Sequence, residues 1–187
     1  MRITGGKARG ISLEMGRARN VRPATDRSRE AVFSSLGERV ADARFLDLFA
    51  GTGSYGLEAL SRGAAGGLFV EKQPQAVEAI RKNIRAVAKS MGVSSPAVHV
   101  IRRDVLRFAS HDRFGILFMD PPYELIRERG TELLGLARGL MDPGARPVLV
   151  YELPGDLEIG DPRWQCLKRI GKSGINEPSI AILEPVL

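Results

Sequence analysis

Short apolar runs alternate along this chain with longer stretches in which apolar side chains recur every three or four positions. Residues 45–49, 66–70, 98–101, 115–119 and 147–151 are runs of four or five residues without strict alternation. That is the pattern of strands buried on both faces of a parallel sheet. Between them, residues 74–91 carry Ala76, Val77, Ile80, Ile84 and Val87 on one helical face, with Pro74 at the first turn. Shorter helices are predicted over 57–62 and over 128–141, the latter stopped by Asp142-Pro143-Gly144. The tail, 164–170 and 179–184, reads as an antiparallel pair around a glycine-containing loop. Ahead of the first run, residues 2–13 read as a small hairpin. A helix capped by Thr25 or Asp26 follows, with Ala31, Val32, Ser35 and Leu36 on its apolar face. The order predicts an α/β fold: a Rossmann-like, doubly wound, seven-stranded and mostly parallel sheet with a C-terminal antiparallel hairpin.

Length and charge refine this picture. A chain of 187 residues suits one domain with a sizeable core. The net charge is +6, and residues 1–30 hold eight basic against three acidic side chains. Nearly all the excess therefore sits at one end, which points to a polyanion partner, most simply nucleic acid. Cys166 is the only cysteine, so no internal disulfide is possible; within Trp164-Gln165-Cys166-Leu167 it reads as a buried thiol on a strand. His99 and His111 lack ligand-spaced neighbours, so no metal site is expected. No apolar run approaches 18 residues and no signal-like segment opens the chain, giving the expectation of a soluble cytoplasmic protein without a membrane partner.

The candidate chemistry lies where the predicted strands end. Asp120-Pro121-Pro122-Tyr123 follows the run at 115–119. The prolines end the strand and stiffen the turn. A carboxylate, a carbonyl of fixed direction and a flat ring then stand together, a set suited to a planar group bearing an NH2: two hydrogens to two acceptors, with the ring stacked on the aromatic. Gly51-x-Gly53-x-x-Gly56 follows the first strand, and Glu71 comes 20 residues after Gly51 at the next strand tip. This is dinucleotide-type geometry, although tight strand-to-helix turns also need glycine for structural reasons. Asp47 inside the first strand disfavours a pyrophosphate and suits a cationic ligand end, while Asp104 ends the third strand as an acceptor or as a turn cap. Three such acids and one glycine turn fit S-adenosylmethionine better than NAD. Tyr55 and Ser54 have no histidine partner and are read as loop packing or cofactor-edge contacts.

The segment from Asp47 to Gly63 together with Asp120-Pro-Pro-Tyr123 resembles the class I methyltransferases that modify exocyclic amines. Met1-Arg-Ile-Thr-Gly-Gly-Lys7 and Arg22-Pro-Ala-Thr-Asp-Arg-Ser-Arg-Glu30 narrow this. They resemble the bacterial family that methylates guanine N2 in 16S ribosomal RNA, over essentially the whole chain. Ala24 stands where that family has Thr or Ser, Ser54-Tyr55 where small residues are usual, and the loop at 171–175 matches loosely. The resemblance implies S-adenosylmethionine as cofactor, contacted by Asp47, Gly51, Thr52, Gly53, Ser54, Gly56, Glu71, Lys72, Asp104 and Val105. It implies Asp120, Pro121, Pro122 and Tyr123 as the catalytic turn, and Lys7, Arg9, Arg22, Arg27 and Arg29 as RNA contacts. It further implies a monomer acting on 16S rRNA or the assembling small subunit, with residues 1–40 as a basic RNA-binding extension and 41–187 as the methyltransferase domain. Three other readings stand beside it. A DNA amino-methyltransferase shares the turn but usually carries a recognition insert. A silent RNA-binding assembly factor keeps the basic arm, and an NAD enzyme keeps the glycine turn.

Overall fold

A computed structural model describes residues 1–15 and 25–186. Strands β1 (Arg44–Leu48), β2 (Gly66–Glu71), β3 (Val98–Arg102), β4 (Ile116–Met119), β5 (Val148–Pro154), β6 (Trp164–Gly171) and β7 (Pro178–Pro185) form one sheet in the order β3-β2-β1-β4-β5-β7-β6. The first five are parallel; β7 runs antiparallel between β5 and β6. The chain winds outward from β1 to β3, then returns to lay β4 against the other side of β1. The tips of β1 and β4 thus flank the switch point, where such sheets open a crevice.

Alternate residues of the central strands feed two cores. Phe45, Phe69, Phe118 and Val150 pack under helices α1 (Asp26–Leu36), α2 (Ser54–Ser61) and α3 (Pro74–Met91). Leu46, Leu48, Leu117 and Leu149 pack under α4 (Tyr123–Leu140). Residues that sit between helices on both faces cannot alternate with polar ones, which is why their runs are continuously apolar.

The N-terminal hairpin is small: one antiparallel bridge joins Arg2 to Ser12. Its anchorage is extensive. Buried Glu58 of α2 accepts from the Thr4 N–H, the Thr4 hydroxyl and the Gly5 N–H, each at 2.8 Å, and from Arg62 Nε at 2.8 Å. Ser61 adds bonds to Lys7 N, Ala8 N and Gly5 O. Gly6 has φ +75°, and a Cβ there would lie 2.0 Å from the Ser61 carbonyl oxygen, so only glycine fits this approach. Ile3, Ala8 and Leu13 join Val32, Phe33 and Leu36 of α1 in the same core as the sheet.

Several elements differ from expectation. Helix α2 starts at Ser54 rather than near 57, because the glycine turn feeds it directly. Helix α4 starts at Tyr123, five residues before the expected start at 128, with Pro122 as its N-cap residue and a non-helical Arg129 (φ −136°) just before Gly130. Strand β5 continues to Pro154, because β7 pairs with it through Pro178. Cys166 is exposed, not buried: β6 is the sheet edge, and its register slips between Cys166 and Lys168. Among the described residues no group of His, Cys, Asp and Glu could hold a metal, and no helix is long and apolar enough to cross a membrane.

Candidate active site

The site is built from strand tips. After β1 the chain turns through Phe49 (φ +58°) and Gly51 (φ +55°) to Gly53 (φ +75°), which caps α2. The three motif glycines differ in role. A Cβ on Gly56 would lie 2.4 Å from Phe69 and 2.5 Å from Phe45, so this glycine lets α2 lie close on the sheet. A Cβ on Gly53 would press on Phe69 at 3.2 Å. Only Gly51 has no neighbour nearer than 3.9 Å, so it is the one that leaves room for a ligand.

Each of the three acids expected to meet the cofactor is tied to backbone. Asp47 Oδ2 accepts from Gly56 N at 3.0 Å, fixing the start of α2 to β1. Glu71 accepts from Gly51 N at 2.9 Å and from Gln73 N at 2.8 Å, so it shapes the glycine turn and keeps spare lone pairs on both oxygens. Asp104 caps the short 3-10 turn Val105–Arg107 through Leu106 N at 3.0 Å; Val105 is buried below it. Lys72 is exposed beside Glu71. The Thr52 hydroxyl faces the Met1 sulfur at 3.5 Å, and the Thr52 carbonyl accepts from Asn83 Nδ2 at 3.0 Å. Asn83, almost fully buried, also bonds both backbone groups of Glu14. It pins the glycine turn to the residues that lead into 16–24. The helical periodicity of α3 gave no hint of this role, since Asn83 sits on an otherwise apolar stripe.

Asp120 ends β4 beside the tip of β1, its N–H directed at Leu48 O at 3.5 Å. Among the described residues neither its carboxylate nor the Pro121 carbonyl accepts any hydrogen bond. Tyr123, half-buried, stands at the start of α4. The prolines, the carboxylate and the ring are thus placed together, with the acceptors unspent.

Two groups behind Asp120 were missed or misread. Glu152 is the next register neighbour of Asp120 on β5, beyond the Met119–Tyr151 pair, and its side chain is buried. The Tyr55 hydroxyl donates to Glu152 at 2.6 Å, and the Tyr55 ring stacks on Phe118 (5.2 Å between centroids, 16° between planes). The usable signal was a fourth acid following an apolar strand. Arg29, expected on the RNA surface, is fully buried. It lies three, four and seven residues before Val32, Phe33 and Leu36, on the inward stripe of α1. Its guanidinium bonds the Arg2 carbonyl and Asp26, and its charge acts on Tyr55 and Glu152. Lys7, Arg9 and Arg27 are exposed. Arg22 and Ala24 lie outside the described residues.

The cleft is therefore acidic and partly screened from solvent. Burial pushes Asp120 well above the usual carboxylate range, and the neighbouring Glu152 and Asp47 push it further. Asp47 is raised likewise by burial, against its Gly56 hydrogen bond, with Glu71 and Glu152 adding to the rise. Glu152 is raised by burial to about 7, although Tyr55 and Arg29 both pull it down.

A sheet of this order, with a glycine turn after β1, an acid ending β2 and Asp-Pro-Pro-Tyr after β4, is the class I methyltransferase fold. The chain belongs to the family described as conserved hypothetical protein 95, which it matches over residues 1–163. A relative from Haemophilus influenzae named ribosomal RNA small subunit methyltransferase D is 32% identical over 175 residues, covering 90% of this chain and 86% of its own length. The protein of the same name from Escherichia coli K12 is 35% identical over 125 residues, covering 66% of this chain and 60% of its own. The solved structure of a putative methyltransferase, yhhF, from Escherichia coli superposes with a TM-score of 0.79 at 27% identity, covering 99% of this chain and 97% of that one.

Proposed function

We propose that this protein transfers a methyl group from S-adenosylmethionine to the exocyclic N2 amine of a guanine in small-subunit ribosomal RNA. The observation that carries this reading is the pair of unspent acceptors, the Asp120 carboxylate and the Pro121 carbonyl, beside the glycine turn. The charge of the cleft agrees with the donor: mutually repelling carboxylates gain from a cation, and no phosphate has to be accommodated. Asp47 and Glu71 would hold its amino acid end and ribose, Asp104 and Val105 its adenine, and Gly51 leaves room along the backbone. When bound, this donor supplies an electrophilic methyl group.

The protein's own contribution is to aim the nucleophile. A guanine N2 lone pair is delocalised into the ring. Asp120 and the Pro121 carbonyl accept its two hydrogens, draw the nitrogen toward tetrahedral geometry and direct the lone pair at the methyl. Positive charge develops on nitrogen as the bond forms, so a carboxylate there favours the transition state over the ground state. Holding both partners in line does much of the rest. The base has to be splayed out of its stack at a cost of a few kcal/mol, and stacking on Tyr123 returns roughly 1–3 kcal/mol. Exposed Lys7, Arg9 and Arg27 give the hairpin and α1 a basic surface for the RNA backbone.

The test is transfer of labelled methyl to 16S rRNA and to partly assembled small subunits, with the product base identified. Asp120→Ala is expected still to bind the donor, to keep its affinity for S-adenosylhomocysteine and to lose roughly 10²-fold or more in turnover. Turnover close to that of the unaltered protein removes the mechanism, and a product other than N2-methylguanine removes the substrate assignment.

A further inference from the structure

Two carboxylates on adjoining strands, facing the same side of the sheet, are treated very differently by their surroundings. Glu152 has a donor, the Tyr55 hydroxyl at 2.6 Å, and the charge of Arg29 acts on it from α1. Asp120 has neither: no donor reaches its carboxylate among the described residues. The other groups around the pair are acids or phenols, namely Asp47 from β1, Tyr123 from α4 and, further along the sheet, Glu71 from β2. The β7 residue opposite Glu152 is apolar Ile180. Asp47 has its own donor in Gly56 N. When two neighbouring carboxylates compete for a single proton, the proton settles on the one with fewer donors.

We propose that Glu152, anchored by Tyr55, keeps Asp120 protonated in the ligand-free cleft, so that Asp120 becomes an acceptor only when a cationic methyl donor occupies the site. Tyr55 and Glu152 are then positioning residues: neither touches substrate, and both act through the charge state of Asp120. The step balances simply. The Asp120 O–H bond breaks, its electron pair stays on oxygen, the proton leaves to water, and the donor's positive charge faces the new carboxylate. The strong rise at Asp120, caused first by burial and then by Glu152, is consistent with this placement. The device ties nucleophile activation to donor occupancy, so an amine arriving in an empty cleft meets a neutral acid. It rests on the methyl-donor reading above.

Calorimetry on the ligand-free protein separates the two. S-adenosylmethionine and S-adenosylhomocysteine differ by one methyl and by the charge on sulfur. Titrations slightly above pH 7, where Glu152 is ionised, in two buffers of different ionisation enthalpy, count the protons released. About one proton is expected per S-adenosylmethionine and close to none per S-adenosylhomocysteine, with affinity for the cationic ligand alone rising with pH. Glu152→Gln, which keeps an acceptor for Tyr55 but removes the like charge, is expected to bind both ligands and to lower the release, while burial of Asp120 remains. Tyr55→Phe, which moves the proton onto Glu152, is expected to lower it. Equal release with both ligands, or S-adenosylmethionine binding without release, overturns this inference and leaves methyl transfer standing. No binding of either ligand overturns both. The comparison of ligands on the unaltered protein decides the matter even if a variant fails to fold.

Discussion

Replacing Glu58 by alanine removes the one side chain on which the N-terminal hairpin, α2 and Arg62 converge. The carboxylate is fully buried and accepts four hydrogen bonds at 2.8 Å, from two backbone N–H groups, one hydroxyl and one guanidinium. Hydrogen bonds to a charged group are each worth about 1.5–3 kcal/mol net, but four at one site do not add. Breaking a buried ion pair from one side costs about 3–5 kcal/mol, because the partner is left uncompensated. Arg62 retains a cation–π contact with Phe33 at 5.1 Å and some solvent, which argues for the lower half of that range. A loss of about 3–4 kcal/mol corresponds to a drop in Tm of roughly 6–16 °C for a chain of this size. Glu58→Gln keeps one acceptor oxygen but presents an NH2 toward an N–H donor, so it falls between. The assay is urea and thermal unfolding, paired with amide exchange at Thr4, Gly5, Lys7 and Ala8. These amides are expected to lose protection before the sheet does. A loss below about 1 kcal/mol in Glu58→Ala, with those amides still protected, would refute the view that this carboxylate anchors the hairpin.

The buried acids make stability depend on pH in an unusual direction. Unfolded, a glutamate releases its proton near 4.5; folded, Glu152 does so near 7, so in that window the native state binds more protons. Stability therefore falls as pH rises from about 4.5 to about 7, by at most about 3 kcal/mol from this group, and Asp47 and Asp120 act in the same sense. Melting temperatures across that range test it, and a flat or rising profile contradicts it. For the RNA surface, Arg27→Ala is expected to weaken rRNA binding, reduce the salt slope by about 1 and leave the melting temperature unchanged. Arg29→Met is expected to lower the melting temperature instead; the reverse pattern would exchange their roles.

Much of the fold could be read in the chain because its signals are local. Runs such as 115–119 are apolar throughout since both faces of the sheet are covered, and Pro74 and Gly92 bracket α3 from either end. The Asp120 turn was legible for the same reason: two prolines after a buried strand leave few options. What escaped depended on distant partners. Glu152 lay just past the expected end of the fifth strand at residue 151; only the return of β7 extends β5 past it. Arg29 was counted as surface charge, although its phase with Val32 and Phe33 puts it inside, where it faces acids far along the chain. Gly56 carries a ligand-binding motif in sequence, yet its neighbours Phe45 and Phe69 show that it serves packing. Cys166 reads as core in an eight-residue strand until the sheet order puts that strand at the edge.

The anchorage of the hairpin on α2 has a consequence for how the chain is made. Residues 3–8 leave the ribosome well before their partners at Glu58 and Ser61, which follow more than fifty residues later. Until then Ile3, Ala8 and Leu13 have only α1 to pack against, and closing so long a loop adds an entropic delay. The hairpin thus cannot take up its anchorage until the glycine turn and α2 have formed. A nascent chain stalled before α2 would display those apolar side chains to chaperones.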